Sequence, residues 1–436
     1  HTHTVHKQKK RKMACPQVFE LKCAVQQYAW GKTGADSEVA RLKAAVDPDF
    51  KIDHNTPYAE LWMGTHPNGP SIAMIPGQEA VPLSKWIEQH PEQLGSEVNS
   101  YFKGSLAFLF KVLSVKTALS IQAHPNKVHA ELLHKTRPDL YKDSNHKPEM
   151  AIALTPFIGL CGFRPIKEVA QFLQSVDEFR EAVGDKACKL ITASRSMDMP
   201  LQREAMKDAF KGLMERDSKV ISHSLNQLVT KVIKLKDDAS DIKKFEGEIL
   251  LKLNSEFPGD RGCFAIYFLN IVYLEPGEAM FLEANLPHAY LSGDCMECMA
   301  CSDNVVRAGL TVKYIDVHTL CEMLDYTGRP VSRTKFLGIE SHGNIHITIF
   351  NPPVPDFGVS KFEIPEGIND FQLQSFECAS ICIIIKGEGE ATSSSLSTSL
   401  KLKPGSVFFV AADADVHISI NSGQSMLLFR AYPGIL

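Results

Sequence analysis

The sequence lacks any apolar run of roughly 18 residues, so no segment of it has the length and character that a membrane-spanning helix needs. It also lacks an excess of basic charge, because 47 Lys and Arg stand against 51 Asp and Glu, a formal charge of −4. That balance argues against a nucleic-acid or anionic-membrane surface as the main partner. No apolar signal segment follows Met13. We therefore expect a soluble, cytoplasmic protein.

Cysteine is present in an odd number, eleven, which is a poor basis for a disulfide framework. Reduced thiols are expected in the cytosol. The spacing of Cys295, Cys298 and Cys301 would suit part of a zinc-thiolate or iron–sulfur site. A fourth cysteine at matching spacing is missing, however, and the intervening Met296 and Met299 are typical of packing. We therefore interpret this run as core and not as a metal site.

The first twelve residues precede Met13, and five of them are Lys or Arg. We interpret residues 1–12 as an artificial leader or a remnant of upstream translation, and leave them out of the fold. The four basic residues at positions 9–12 are a weak nuclear-localisation signal. Without the leader the formal charge is about −9. The length of 436 residues with 44% hydrophobic residues suits two to three globular domains.

A strand-like segment, Leu119-Ser-Ile-Gln-Ala-His-Pro125, concentrates metal-capable groups. Because successive side chains of a strand point to opposite faces, Ser120, Gln122 and His124 share one face. A carboxylate follows in Asn-His-Lys-Pro-Glu, which ends at Glu149. An imidazole, an amide oxygen and a carboxylate are donors that suit Zn²⁺, with Mn²⁺ or Fe²⁺ as weaker alternatives. This face predicts a metal site.

A fourth donor is available far downstream at His288, in the segment Phe-Leu-Glu-Ala-Asn-Leu-Pro-His. A histidine beside a strand is commonly a hydrogen-bonded structural residue. On spacing alone, therefore, a metal ligand and a structural histidine are both open interpretations.

Longer motifs resemble the type I mannose-6-phosphate isomerases of animals and fungi. They are Ser120-Ile-Gln-Ala-His-Pro125, Asn145-His-Lys-Pro-Glu-Met150, Leu160-Cys-Gly-Phe-Arg-Pro165, the run from Gly293 to Gly309, Tyr28-Ala-Trp-Gly-Lys32 and Glu60-Leu-Trp-Met-Gly-Thr-His-Pro67. The resemblance covers essentially everything from Met13 to the C-terminus. It implies a cupin fold with one Zn²⁺ per chain and the interconversion of mannose 6-phosphate and fructose 6-phosphate through an enediol. Such a reaction would feed GDP-mannose synthesis and mannose catabolism.

The strand and helix patterns predict a mainly β protein with a helical insert, that is, two cupin (jelly-roll) barrels plus an inserted all-α domain. Between Arg164 and Asp260 apolar residues recur at three- and four-residue steps, which predicts four helices. The expected units are residues 13–163 as the first part of a catalytic cupin, 164–261 as the helical insert, 262–328 as the second part of that cupin, and 329–436 as a C-terminal metal-free cupin.

An internal repeat supports two barrels. The segment Leu-Glu-Pro-Gly-Glu-Ala-Met-Phe-Leu-Glu-Ala, ending at position 284, parallels Leu-Lys-Pro-Gly-Ser-Val-Phe-Phe-Val-Ala-Ala, ending at position 412. His288 falls twelve residues after Pro276, and His417 falls thirteen after Pro404. Jelly rolls join short strands by such turns. The second copy has no counterpart of Gln122 and His124, so we expect it to be metal-free.

The resemblance also implies roles for individual residues. It makes Gln122, His124, Glu149 and His288 the metal ligands, and it places Arg307 in the active site, where a guanidinium can stabilise enediolate charge. Without the resemblance, an arginine on a loop is commonly a partner in a surface ion pair.

The identity of the general base is open. Four residues are candidates, and Glu297 and Lys147 rank ahead of His146 and Asp303.

Phosphate recognition would use Ser120, Lys111 and Lys313, whose family counterparts line the phosphate end of the site. Lys111 lies in the apolar run Leu106–Val115. Because burying an unpaired ammonium is costly, this lysine must either reach the surface or meet an anion.

Two other functions stay open: a cupin metal oxygenase and a non-catalytic sugar-binding bicupin. An oxygenase would want two histidines and one carboxylate with open positions for O₂, and Gln122 as a further donor argues against it. The expected partner is a small phosphorylated sugar, with neither nucleic acid nor membrane, and the expected state is a monomer.

Overall fold

The computed structural model describes residues 15–235 and 237–435. The leader at residues 1–12 therefore lies outside the described residues. None of the described helices is long and apolar enough to cross a membrane.

The chain before the helical insert is rich in short strands. Its strands are β1 (Val18–Lys22), β2 (Ala24–Gln26), β3 (Lys32–Thr33), β4 (Pro57–Tyr58), β5 (Glu60–Met63), β6 (Ile72–Met74), β7 (Val81–Pro82), β8 (Phe108–Val115), β9 (Ile121–Ala123), β10 (Glu149–Ala153) and β11 (Phe157–Phe163). Its helices are α1 (Glu38–Val46), α2 (Leu83–Gln89), α3 (Ser96–Tyr101) and α4 (Lys127–Thr136), with short 3₁₀ turns at Gly34–Asp36 and Pro91–Leu94.

The insert contains more helices than the four that the sequence predicted. In the described residues they are α5 (Ile166–Ser175), α6 (Asp177–Val183), α7 (Lys186–Ala193), α8 (Met199–Glu215), α9 (Ser218–Lys234), α10 (Ala239–Lys244), α11 (Gly247–Glu256) and α12 (Gly262–Ala265). Four helices were too few, in part because Val176 takes an extended conformation, with φ −114° and ψ 92°, and separates α5 from α6. Apolar periodicity continued across that break and concealed it.

Strands resume after the insert with β12 (Leu269–Leu274), β13 (Ala279–Leu282), β14 (His288–Ala300) and β15 (Val306–Gly309), followed by helix α13 (Val317–Met323). A 3₁₀ turn at Val331–Arg333 leads to β16 (Ile339–Ser341), β17 (Asn344–Phe350), β18 (Gly358–Ile364), β19 (Asp370–Leu373), β20 (Ser380–Lys386), β21 (Gly389–Thr392), β22 (Leu400–Leu402), β23 (Val407–Val410), β24 (Val416–Ile420) and β25 (Met426–Tyr432).

These strands build two β structures. The first barrel is the ten-stranded sheet, ordered β12-β11-β14-β8-β5-β2, with β10 and β13 joined to one part of β14 and β9 and β15 to another. The C-terminal barrel is formed by a nine-stranded sheet, ordered β16-β17-β18-β25-β20-β23-β1-β6-β7, and a four-stranded sheet, ordered β19-β24-β21-β22. A small pair, β3 and β4, stands apart.

The first strand of the chain joins the C-terminal barrel. Phe19 of β1 lies opposite Phe409 of β23, and Leu21 of the same strand lies opposite Ala73 of β6. One continuous sheet therefore runs from early strands of the chain into its last domain. Sequence order gave no sign of this pairing.

The repeated Pro-Gly turns join β12 to β13 and β22 to β23. Gly277 and Gly405 have φ of 89° and 94°, in the region that favours glycine. A Cβ at Gly405 would also overlap the carbonyl of Leu42. The two copies therefore need glycine for the same backbone reason.

Candidate metal centre

Strand β9 presents one apolar and one polar face, as its sequence predicted. Ile121 and Ala123 are fully buried in the core that the helical insert shares with the first barrel. The insert thus seals the back of the strand that carries Gln122 on its other face.

Strand register brings three predicted residues into one row. Gln122 lies opposite His288 of β14 on one side and opposite Arg307 of β15 on the other. Directly opposed residues in antiparallel strands hold their Cβ atoms about 4.5–5.5 Å apart. Residues more than 160 positions apart in the sequence are therefore neighbours here.

Three donor atoms converge beside this row. The Nε2 atom of His124 lies 3.4 Å from Oε2 of Glu149, and Nε2 of His288 lies 3.3 Å from the same oxygen. The relative exposures of the three residues are 1%, 4% and 1%. In a tetrahedral zinc site with nitrogen and oxygen ligands at about 2.0–2.2 Å, neighbouring ligand atoms are about 3.3–3.6 Å apart. The spacing fits such an ion.

The two imidazoles are held in the tautomer that a metal ligand needs. Nδ1 of His124 lies 2.7 Å from the carbonyl oxygen of Asn304, and Nδ1 of His288 lies 2.8 Å from that of Leu286. A carbonyl only accepts, so each Nδ1 carries the proton and each Nε2 presents a lone pair. Both Nε2 atoms are buried and without a hydrogen-bond partner in the described structure. Two lone pairs facing a carboxylate oxygen call for a cation between them.

The protonation states of these groups also suit a metal. Burial lowers the pKa of His124 and keeps its imidazole neutral, although Glu149 opposes the shift. Burial alone would raise the pKa of Glu149, but Lys147 and the imidazoles of His124 and His288, in the form that carries a proton at Nε2, outweigh burial and hold that pKa well below its usual range. A cation bound between the three side chains would take the place of those protons and act in the same direction. Lys147 contributes from 3.7 Å, the distance between its Nζ and Oε1 of Glu149.

The ammonium of Lys111 is buried and is paired with carboxylates of the protein itself. Its Nζ lies 3.2 Å from Oε2 of Glu60 and 3.4 Å from Oε1 of Glu297, and it stands over the ring of Trp62 at 5.1 Å. Only 7% of the residue is exposed. Burial disfavours the ammonium, yet Glu60 and Glu297 more than compensate and raise the pKa of Lys111. Lys111 therefore meets anions, as expected for a buried ammonium, but these are the carboxylates of Glu60 and Glu297, which the sequence did not identify.

Glu297 is a buried carboxylate whose pKa is raised rather than lowered. Burial raises its pKa to about 7, with Lys111 opposing and Glu149 and Glu60 adding to the rise. The hydroxyl of Tyr290 donates to Oε2 of Glu297 at 2.6 Å. A buried carboxyl group that titrates near neutrality is suited to taking and returning a proton.

The remaining candidates differ in position. Asp303 is exposed, and its carboxylate lies 3.3 Å from Nε2 of His66. His146 places Nε2 2.8 Å from Oδ2 of Asp356, in the segment that leads to β18. Arg307 has no carboxylate within 4.0 Å among the ion pairs of residues 15–235 and 237–435. Burial lowers its pKa.

Two of the three predicted phosphate ligands lie near one end of a strand pair. Gly309 lies opposite Ile121, so Ser120 and the turn that carries Lys313 adjoin the same end of the β9–β15 pair. Lys313 is exposed. Lys111 lies opposite Glu297 of β14 and is paired with its carboxylate.

Comparisons with known proteins agree with this geometry. Residues 18–166 match the family described as phosphomannose isomerase type I, catalytic domain, and residues 182–269 match its helical insertion domain. The chain is 49% identical to mannose-6-phosphate isomerase of Homo sapiens over 419 residues, which is 96% of this chain and 99% of the relative. The Bos taurus protein of that name is 50% identical over the same shares.

The chain belongs to the type I phosphomannose isomerase family. Its fold is similar to the crystal structure of a variant of the Salmonella typhimurium phosphomannose isomerase, with a TM-score of 0.80 and 31% identity over 96% of this chain and 99% of that one. A mannose 6-phosphate isomerase structure bound with zinc and yttrium matches with a TM-score of 0.79 and 31% identity over the same shares. The expected cupin-type fold with a helical insertion is confirmed.

The cysteine run does not form a thiolate cluster with this site. Cys295 and Cys298 both lie on β14 but pack into different apolar clusters, since positions three apart on a strand face opposite sides. Burial raises the pKa of both thiols. Neither belongs to the metal-capable groups found in the described residues.

Sequence reasoning missed several residues that support the site. Glu60 lay in a recognised motif and Tyr290 lies two residues after His288, but neither received a role. The signal for Glu60 was its place in an apolar strand, which, like that of Lys111, demands a buried partner. Asn304 supports His124 through its backbone carbonyl, while its amide nitrogen donates to the carbonyl of Asp143 at 2.7 Å. No spacing rule predicts that contact.

Proposed function

We propose that this protein interconverts D-mannose 6-phosphate and D-fructose 6-phosphate, with one catalytic zinc ion held by the first barrel. The observation that supports the proposal most strongly is the buried convergence of His124, Glu149 and His288 in a chain that aligns with mannose-6-phosphate isomerases over nearly its full length.

Gln122 completes the proposed ligand set, because its strand register places it beside His288. When bound, a divalent cation can polarise a carbonyl oxygen or orient the hydroxyl groups of the sugar. The protein's own part is to fix neutral imidazoles through Nδ1 and to exclude water with the helical insert behind β9.

Glu297 is our first candidate for the proton carrier. Moving a carbonyl between C1 and C2 requires removal of a proton from one carbon and its return to the other. Glu297 is buried, burial raises its pKa, and it accepts a hydrogen bond from Tyr290. Lys147 is the second candidate. His146 and Asp303 rank lower because Asp356 and His66 already contact them.

Arg307 is proposed to stabilise the negative charge that develops on the substrate oxygen. It lies across Gln122 from His288, half-buried and without a carboxylate partner in the described part of the chain. A preorganised cation in a water-poor site stabilises such charge more than it would in bulk water.

The phosphate group is proposed to lie at the end of the β9–β15 pair, where Ser120 and the segment carrying Lys313 adjoin. Lys111 was expected there as well. Its paired, buried ammonium supports a different role, which is to limit how far the pKa of Glu297 rises.

The compartment and assembly are also proposals. All eleven cysteines lie in the described residues and none forms a disulfide, which supports a reducing compartment such as the cytosol. We also propose that the protein acts as a monomer, because the proposed active site requires no residue from a second copy of the chain.

The test is isomerisation of mannose 6-phosphate by the purified protein under nitrogen. We expect fructose 6-phosphate to form, the rate to fall after treatment with a chelator, and zinc to restore it. A requirement for O₂ would instead indicate an oxygenase, and sugar binding without turnover would indicate a sensor.

A further inference from the structure

A second group of metal-capable side chains lies at the start of β1, away from the first metal centre. Sγ of Cys15 is 3.5 Å from Nδ1 of His90, and that nitrogen is 3.7 Å from Oε1 of Glu92. The ligand atoms of all three residues lie within 4.8 Å of one another. Cys15 and His90 are half-buried and Glu92 is exposed.

These separations suit direct ligation of one ion. With a zinc–sulfur distance of about 2.3 Å and a zinc–nitrogen distance of about 2.1 Å, neighbouring sulfur and nitrogen ligands in a tetrahedron lie about 3.6 Å apart. The Cys15–His90 distance has this value within the usual spread. Thiolate, imidazole and carboxylate are also a donor set that suits Zn²⁺ and Co²⁺ over Mg²⁺ or Ca²⁺.

The segments that carry the donors are held by backbone hydrogen bonds. The amide of His90 donates to the carbonyl of Ile87 at 3.0 Å, and the amide of Gln93 donates to the carbonyl of His90 at 3.0 Å. The ring of His90 packs on Trp86, with ring centroids 4.8 Å apart. His90 therefore needs little rearrangement to receive an ion.

The group also lies at the junction between early chain segments and the C-terminal barrel. The amide of Ala412 donates to the carbonyl of Gln93 at 2.9 Å, and the amide of Ala411 donates to that of Gln17 at 2.8 Å. An ion held by Cys15 and His90 would join the start of β1 to the segment after α2 at this junction.

We propose that Cys15, His90 and Glu92 form a second, exchangeable binding site for a zinc-class divalent cation. Three protein donors on a partly exposed surface leave room for water, so the ion should be held less tightly than in the buried first centre. One zinc per chain should therefore survive removal of loosely bound metal, and the second should return on titration.

Cobalt distinguishes the two sites because only the second offers sulfur. We would load the full-length protein with zinc, remove loosely bound metal, and titrate Co²⁺ under reducing conditions. A sulfur-to-cobalt charge-transfer absorption should grow to one equivalent in the wild type and be absent in Cys15→Ser. His90→Ala should weaken cobalt binding at least about 10-fold. Isomerase activity is not the readout, so failure here leaves the proposed function untouched.

Cys188→Ser is the matched control, because Cys188 is an exposed thiol in the helical insert and belongs to no metal-capable group. It should keep the full absorption. No absorption in the wild type would show that Cys15 and His90 form only a hydrogen bond. An absorption that persists in Cys15→Ser would assign the cobalt to another cysteine. Either result overturns the proposal.

Discussion

His288 of the first barrel and His417 of the C-terminal barrel occupy corresponding places after the repeated Pro-Gly turns, but their surroundings differ. His288 is buried, holds its Nδ1 against a backbone carbonyl and points Nε2 at Glu149. His417 is partly exposed, and its Nδ1 lies 3.3 Å from the side-chain oxygen of Gln372. The first histidine has a carboxylate and a second imidazole beside it, whereas the second has an amide and solvent.

The interiors of the two barrels differ in the same way. In the C-terminal barrel the strands fill the space between the sheets with apolar side chains such as Cys382, Phe408 and Ile418. Its one fully buried cation among the described residues, Arg430, is bound by Ser380 and by the carbonyl of Gln374 and stacks on Phe376. These contacts occupy Nε and Nη1 of the guanidinium with groups of the barrel itself. The same architecture therefore serves packing in one half and chemistry in the other, and a few side chains make the difference.

The largest expected effect comes from exchanging the two histidines for alanine. His288→Ala removes a ligand, and since even the hydrogen-bond partners of ligands are worth about 10–100-fold in metal affinity, the loss should be greater than that. Zinc content after removal of loosely bound metal should fall towards zero together with activity. His417→Ala should keep both. Elemental analysis and steady-state kinetics on both variants test this prediction. Equal losses of zinc and of activity in the two variants would show that the two barrels do not differ in metal binding.

Substitution of Glu297 should have the next largest effect, and this residue should also give the wild-type activity a pH dependence. Replacing a general base costs about 10²–10⁴-fold in rate, so Glu297→Gln should lose turnover by that factor while keeping zinc. The base works as the carboxylate, so wild-type kcat/KM should rise as pH rises through its pKa. A nearby divalent cation lowers the pKa of Glu297. The acid limb of the pH profile of kcat/KM should therefore lie between the ordinary carboxyl pKa of 4.5 and about 7. A residual rate in the variant with the same acid limb would assign the limb to another group.

Alanine substitutions of the half-buried Arg307 and the buried Arg430 should have different effects. Arg307→Ala should retain zinc and thermal stability but lose about 10²–10³-fold in turnover, because one charge-stabilising donor is gone. Lysine should rescue it only in part, since it lacks the planar fork of the guanidinium. Arg430→Ala should instead lower the free energy of unfolding by about 2–4 kcal/mol, because Ser380 and the Gln374 carbonyl lose their donor. A loss of turnover in an Arg430→Ala variant that stays folded would show that Arg430 is not purely structural, and would contradict the comparison.

The smallest expected effect concerns surface lysines. Lys313→Ala should raise KM about 10-fold and change kcat little, because a phosphate contact acts on the ground state and the transition state alike. Lys401→Ala in the C-terminal barrel, whose ammonium pairs with Glu390 at the surface, should change neither. A fall in kcat with an unchanged KM in Lys313→Ala would move that lysine from the phosphate to the reacting carbons.

The sequence predicted the residues of the site better than their contacts. Alternation along β9 identified the polar face of Gln122 and His124, because strand periodicity is a local property. It could not predict that Gln122 lies between His288 and Arg307, since register depends on strands far apart in the chain. The sequence also did not predict the ion pair between Glu60 and Lys111. Nor did it predict the break at Val176, where an apolar residue continues the helical periodicity while its backbone is extended.

The most direct test of the first barrel as the metal centre is an anomalous difference map at the zinc edge from crystals of the zinc-loaded protein. We predict a peak at about 2.0–2.2 Å from Nε2 of His124, Nε2 of His288 and a carboxylate oxygen of Glu149, and none beside His417. A strong peak at His417, or no peak among the three buried donors of the first barrel, would contradict the account.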